Sequence, residues 1–343
     1  MIEVDGSEGE GGGQMLRTAV ALSALTGHEV KVHGIRSNRA NPGLQPQHLC
    51  AVNGVAKMCE ARVKGASVGS SELEFSPGKV NAGRFRLSVG TAGSVTLVLQ
   101  ACMLASALSP GESRFEVLGG TNVRWSPPID FYDRALFPYL ERMGARARLT
   151  ERARGFYPEG GGRAVTSWHP PESYAPFSIL ERGPLKGISG CVFVQGLPSH
   201  IGKRMGEVVR KHFLEAKVRL DDDVTQGASK GAGLLLVADY GTCWLCGDSL
   251  GERGVLAEEV GERAAEALMG EMRSPATLDV HSADQLLPYM CLATGPCSFL
   301  VREATGHLYA QAEMVRKFLG ARVAFTEMNG ATRVDVQPSH TYS

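Results

Sequence analysis

Two stretches far apart in the chain carry nearly the same residues at the same point of a structural pattern. Met143-Gly144-Ala145-Arg146 and Leu319-Gly320-Ala321-Arg322 each follow a helical run and precede an alternating one. The glycine in each is a natural helix stop, because it accepts the left-handed backbone that closes a helix before a strand. Three first helices lie upstream, at about Gly13 to Thr26, Gly93 to Ala107 and Ser282 to Ala293, with apolar residues at three-to-four spacing. Each is followed by a strand, a second helix and a hairpin. The second helices cover roughly Gln45–Cys59, Phe131–Met143 and Leu308–Leu319. The first hairpin, about Ala61 to Phe75, has the same shape with weaker identity. The pattern predicts three copies of one β-α-β-α-β-β unit.

The stretch from Gly183 to Ala276 breaks the series. It has its own strand (Gly190–Gln195), helix (Gly202–Ala216), hairpin (Leu234–Cys246) and helix (Gly251–Met272), with Pro184 opening it and Pro275 closing it. The expected fold is therefore α/β (α+β), in two parts. A large domain of three repeats takes 1–182 and 277–343, and a smaller inserted α/β domain takes 183–276. A chain of 343 residues is too long for one ordinary core, which agrees with that division.

Composition narrows the function classes. Lys plus Arg equals Asp plus Glu, 36 each, whereas a sequence-independent duplex binder would be more basic. A local basic cleft remains compatible with that balance. The acidic start, Met1 to Asp5, does not resemble a secretory signal, and runs such as Gly233 to Val237 stop far short of a membrane span of about 20 residues. The eight cysteines are scattered through apolar stretches, as expected for free buried thiols in a reducing, cytoplasmic setting. Cys243 and Cys246 have metal-like spacing but no second pair nearby. Their alternation reads as a strand with both thiols off the apolar side.

Three segments carry residues suited to chemistry. Gly9 to Gln14 follows the strand Ile2–Val4 and opens a helix, where bare backbone can approach an anion. It does not fit GxGxxG, since Gln14 stands at the third glycine, and Gly196 to Arg204 has the wrong gap for a P-loop. The related run Pro158 to Gly162 lacks a following helix and reads as structural. In the second segment, Arg36 and Arg39 flank a Pro42-Gly43 turn before Gln47 and His48, with Arg17 a candidate for the same cleft. In the third, His281 to Gln285 precedes a helix with Ser282 as a plausible cap, and His307 opens another helix, where the dipole favours anions and neutral imidazole. Asp221 to Asp223 reads as a solvated turn.

Taken together, these pieces resemble the RNA 3′-terminal phosphate cyclase family. The matching segments, in order, are DGSEGEGGGQMLR, RSNRANPGLQPQHL, GTAGSVTLVLQ, GGTNVRWSPPIDF, GFYPEGGG, HSADQLLPYMCLA and GHLYAQAEMVRKFLG. The resemblance implies the repeat-plus-insert fold reached above. It also implies ATP-dependent conversion of an RNA 3′-phosphate to a 2′,3′-cyclic phosphate, with AMP carried on a histidine. The partner so implied is RNA with a 3′-phosphate end, with no membrane involved. No feature of the sequence sets an oligomeric state.

Residue by residue, His307 matches the adenylylated histidine. Glu10 matches a carboxylate that helps hold Mg²⁺ or Mn²⁺. Gln100, Pro127, His281, Ser282, Ala283, Asp284 and Gln285 match positions lining the ATP site. Arg17, Arg36, Arg39, Gln47 and His48 match a cluster that contacts phosphates of ATP or the RNA end. At His281 an aromatic, often Tyr, is expected in some relatives. Two alternatives compete with this reading: a non-catalytic or RNA-cleaving relative in ribosomal RNA processing, against which His307 argues, and an enolpyruvyl-transfer enzyme, which needs no such histidine.

Overall fold

The structure is a computed structural model that describes residues 1–8 and 12–339. The first unit runs β1 (Ile2–Asp5), α1 (Gly13–Thr26), β2 (Val30–His33), α2 (Pro46–Cys59), β3 (Arg62–Lys64) and β4 (Leu73–Ser76). Its sheet has the order β1-β2-β4-β3. The first pair is parallel and the other two are antiparallel. A parallel pair needs a crossover, here a helix, whereas an antiparallel pair can be joined by a hairpin.

The second unit repeats this plan with β5 (Arg84–Ser88), α3 (Val95–Ala105), β6 (Ser113–Gly119), α4 (Ile129–Phe131), α5 (Phe137–Arg142), β7 (Arg146–Ala153) and β8 (Gly162–His169). Its sheet order is β5-β6-β8-β7, with the same pairing senses. The expected single helix Phe131–Met143 is broken in register: residues Tyr132–Leu136 between α4 and α5 are π-helical. Pro138 has no N–H to give the carbonyl four residues back, so the turn widens there.

The third unit begins with β9 (Ser178–Ile179), which is then separated from the rest. Next come β10 (Gly187–Gln195), α6 (His200–His212), β11 (Val218–Thr225), β12 (Gly231–Asp239), β13 (Trp244–Leu250) and α7 (Ala257–Arg273). These strands form their own sheet, in the order β11-β10-β12-β13. The third unit resumes with α8 (Val280–Met290), β14 (Cys297–Val301), α9 (Gly306–Leu319), β15 (Arg322–Met328) and β16 (Ala331–Gln337). The sheet β15-β16-β14-β9 reproduces the order of the first two, including the parallel β9–β14 pair. Gly144 (φ 97°) and Gly320 (φ 66°) both adopt the positive φ expected of them.

The sheets expose one face, as in β5 with alternating exposed and buried residues, and turn the other to the helices. Helix α1 is the hub, packing on α2, α3 and α9. Every residue from Met15 to Ala24 is buried, so α1 has no solvent-facing stripe there.

Two local expectations are overturned. Asp221 to Asp223 is not a solvated turn but lies within β11. Asp221 pairs with Arg134 at 2.7 Å, and Asp223 accepts from Arg154 Nε at 2.8 Å. Cys243 and Cys246 are both buried, Cys243 just before β13 and Cys246 within it. Gly247 is the β13 residue that faces α7, and its neighbour Cys246 turns the other way, toward Asp279 before α8, a packing the alternation could not show.

Arg154 joins the inserted sheet to the second unit. Its guanidinium spans Asp130, at 2.8 and 3.0 Å, and Asp223, and lies 4.3 Å from the centre of the Phe193 ring. Burial alone would raise the Asp130 pKa, but the hydrogen bonds and charge of Arg154 win and hold it below its ordinary value. Arg154→Ala would leave the buried Asp130 with only Arg152, at 3.0 Å, and Asn122 as partners, so denaturant unfolding should show a loss of up to about 3–5 kcal/mol. Because the folded pKa is depressed, this contribution is present at neutral pH and is lost as pH falls through the folded value.

Glu271 gives the opposite sign. Burial, then the charge of Asp279, push it up to about 7 against the pull of Arg302. Its contribution is therefore fullest below the unfolded pKa, and stability should drop by at most about 1.4 kcal/mol per pH unit as pH rises toward neutrality. Glu271→Gln should flatten that slope in unfolding curves taken across pH.

Candidate active site

The first turn of α1 is the meeting point. Gly13 has no room for a side chain, since a Cβ there would stand 2.0 Å from His48 Nε2. A Cβ on Gly12 would stand 3.5 Å from Arg39 Nη2. One residue on, Gln14 Nε2 donates to the His307 carbonyl at 3.4 Å. Gly13 thus lets an imidazole close on a helix N-terminus, with the Arg39 guanidinium beside it, where unpaired N–H groups favour anions.

His48 is in the first turn of α2, and its Nδ1 accepts from Gln45 N at 3.1 Å. Its pKa is lowered to about 3, first by burial and then by the charges of Arg17 and Arg36. The ring is therefore neutral at physiological pH, with its proton on Nε2, the atom facing Gly13. Beside it, Gln47 Oε1 accepts from Ser94 N at 2.9 Å, which fixes Gln47 against the start of α3.

Helix α3 links two more expected residues. Thr96 Oγ1 donates to the Pro127 carbonyl at 3.0 Å, and Gln100 stands one turn further along. Gln100 and Arg17 line one cavity together with Gln285 from α8. Burial lowers the Arg17 pKa to about 10, so the guanidinium stays charged at neutral pH.

Helix α8 is capped by Asp279 and not by Ser282. Asp279 Oδ1 accepts from the N–H groups of His281 (3.1 Å) and Ser282 (2.9 Å), and Ser282 Oγ donates back to Oδ2 at 2.8 Å. The carboxylate is the stronger acceptor for a helix N-terminus, so the helix starts two residues earlier than expected. His281 is exposed, Ser282 and Ala283 are fully buried, and Asp284 and Gln285 are nearly so. Ser282 and Ala283 thus shape the wall from behind.

Asp284 reaches the helix of His307. Thr305, the N-cap of α9, donates to Asp284 Oδ1 at 3.2 Å and accepts from Leu308 N at 3.1 Å. His307 is half-buried in the first turn of α9.

Most expected residues therefore converge from α1, α2, α3, α8 and α9. Arg36 is turned aside, donating to the Asn41 and Gly43 carbonyls of its own loop. Glu10 lies outside the described residues. The sequence reading missed Gln14, Asp279, Thr305 and Gln311. An Asp three residues before a buried Ser was a usable cap signal for Asp279. The others are visible only once the helices are packed.

A family model described as RNA 3′-terminal phosphate cyclase matches residues 8–325. Proteins named RNA 3′-terminal phosphate cyclase are similar over nearly their whole length. That of Thermococcus gammatolerans is 42% identical over 93% of this chain and 92% of its own. That of Nitrosospira multiformis is 43% identical over 98% and 97%, and that of Methanosarcina mazei 42% over 98% and 100%. A solved enolpyruvyl transferase, NikO from Streptomyces tendae, aligns over 99% of this chain and 66% of its own at 12% identity. Its TM-score of 0.28 is too low to carry any argument. The chain belongs to the RNA 3′-terminal phosphate cyclase family.

Proposed function

We propose that this chain converts an RNA 3′-terminal phosphate to a 2′,3′-cyclic phosphodiester using ATP, with AMP carried on His307. A phosphate monoester has no good leaving group, and adenylylation supplies one. The His307 imidazole attacks the α-phosphorus of ATP, a P–N bond forms, and pyrophosphate leaves. The RNA 3′-phosphate then takes AMP from the histidine. Finally the neighbouring 2′-OH attacks the activated phosphorus, loses its proton, and AMP departs.

The observation that carries this reading is the convergence at the first turn of α1. There Arg39 and the neutral His48 close on bare backbone, and Gln14 ties the same turn to the residue His307. Arg39, Arg17 and the helix N-terminus offer donors to phosphoryl oxygens that gain charge in the transfer. Gln47 joins the proposed phosphate cluster, and Arg36 would join it only by leaving the Asn41 and Gly43 carbonyls that hold it in this structure. Pro127, Gln100 and the His281 to Gln285 turn would hold the adenosine, with the exposed His281 ring able to stack on a base.

Glu10 would help hold Mg²⁺ or Mn²⁺. Among the described residues no group of three or more His, Cys, Asp and Glu side chains is placed to hold an ion. No helix of the described residues is long and apolar enough to cross a membrane. Eight free, buried cysteines fit a reducing cytoplasm.

ATP labelled in the α-phosphate tests the nucleophile. Label on the protein should survive alkali and leave in mild acid, and His307→Ala should lower labelling by about 1,000-fold or more. Labelling of that variant at the parental rate would sink the assignment. In a second assay, an RNA 3′-phosphate should become resistant to phosphatase only when ATP is present. Gly13→Ala drives a methyl group into the His48 ring. It should cut labelling by at least about tenfold while costing about 1–3 kcal/mol of stability.

A further inference from the structure

Helix α9 carries another polar side chain one turn beyond His307. Gln311 is 1% exposed. A buried amide there costs free energy unless its donors and acceptor are used. Its Nε2 donates to the Asp284 carbonyl at 3.3 Å. Its Oε1 has no hydrogen-bond partner among the described residues, and the same holds for Gln285 Oε1 and Arg17 Nε. All three residues are more than nine-tenths buried. All three line the same cavity, about 10 Å³ in volume, which is room for about one water molecule.

The three orphaned atoms are one N–H donor and two carbonyl acceptors. A water molecule complements that set, because it donates to both amide oxygens and accepts from the guanidinium. An anion would be repelled by the two oxygens and a metal cation by Arg17. No carboxylate pairs with Arg17 among the described residues, so its charge stays available.

We propose that Gln311 is a positioning residue for the transfer from ATP. Through one buried water it orients Arg17, and through the Asp284 carbonyl it ties α8 to the turn of α9 that bears His307. The inference rests on the ATP reading above, since it concerns how Arg17 and His307 are presented to the triphosphate.

Two variants separate this from a purely structural role. Gln311→Leu loses both contacts, and the maximal rate of His307 labelling should fall about tenfold or more with the KM for ATP within about twofold of the parent. Gln311→Glu puts a carboxylate beside Arg17. It should raise the KM for ATP about tenfold or more while the melting temperature is kept or increased, because a buried cation has gained a counterion. A high-resolution crystal structure of the parent should show water density about 3 Å from Arg17 Nε, Gln285 Oε1 and Gln311 Oε1. Parental kinetics in both variants would overturn the proposal, as would lowered melting temperatures with parental kinetics, or a dry cavity. If the parent takes no label from ATP, the ATP reading fails, whereas the crystallographic water and the melting temperature of Gln311→Glu still report on the cavity.

Discussion

Helix α1 has no side that faces water over most of its length, and the rest of the large body is arranged around that fact. A helix buried all round needs partners on every face. Here α2, α3 and α9 supply them, from all three units of the chain. Because the partners start near one end of α1, their own first turns gather there, and polar side chains from distant segments arrive at one place. Burying Arg17 inside this bundle is costly in isolation. The same burial keeps its charge undiluted by solvent, and no carboxylate among the described residues pairs with it.

The three-unit architecture was legible because its signals are local. Helical periodicity, helix-stopping glycines and short hairpins are written within a few residues of each other, and Gly144 and Gly320 behave as their positions suggest. The errors arose where a distant element decides the outcome. Asp221 to Asp223 looked like a turn because three acids in a row belong on a surface, yet Arg134 and Arg154 from another unit draw two of them into a strand. The thiols of Cys243 and Cys246 read as outward-facing, yet both are buried, Cys246 beside Asp279 from the start of α8.

The candidate site was legible in parts. Gln47, His48 and His307 stood out by type and by place at helix starts, and Arg39 by its place in the basic loop before α2. Their meeting could not be read from spacing, because it depends on glycines whose role is to be absent. A side chain at Gly13 would hold His48 away from α1, and only the packed structure shows an imidazole filling the space that a Cβ would need. Likewise Thr305 and Asp284 are unremarkable apart, and they become a link between α8 and α9 through one hydroxyl.

The short strand β9 has a consequence for how the chain comes together. It pairs with β14 across the whole insert, Ser298 beside Ser178, so the third sheet cannot form until the intervening residues are accommodated. Yet the two ends of that long excursion lie side by side, with Thr277 Oγ1 donating to the Ile179 carbonyl at 2.7 Å. A disordered stretch of this length would make the closure entropically expensive and slow. An insert with its own sheet, folded so that it leaves where it entered, reduces the excursion to the equivalent of a tight turn. In that sense the smaller body is a clasp that brings the unit bearing His307 within reach of the arginine-bearing half of the chain.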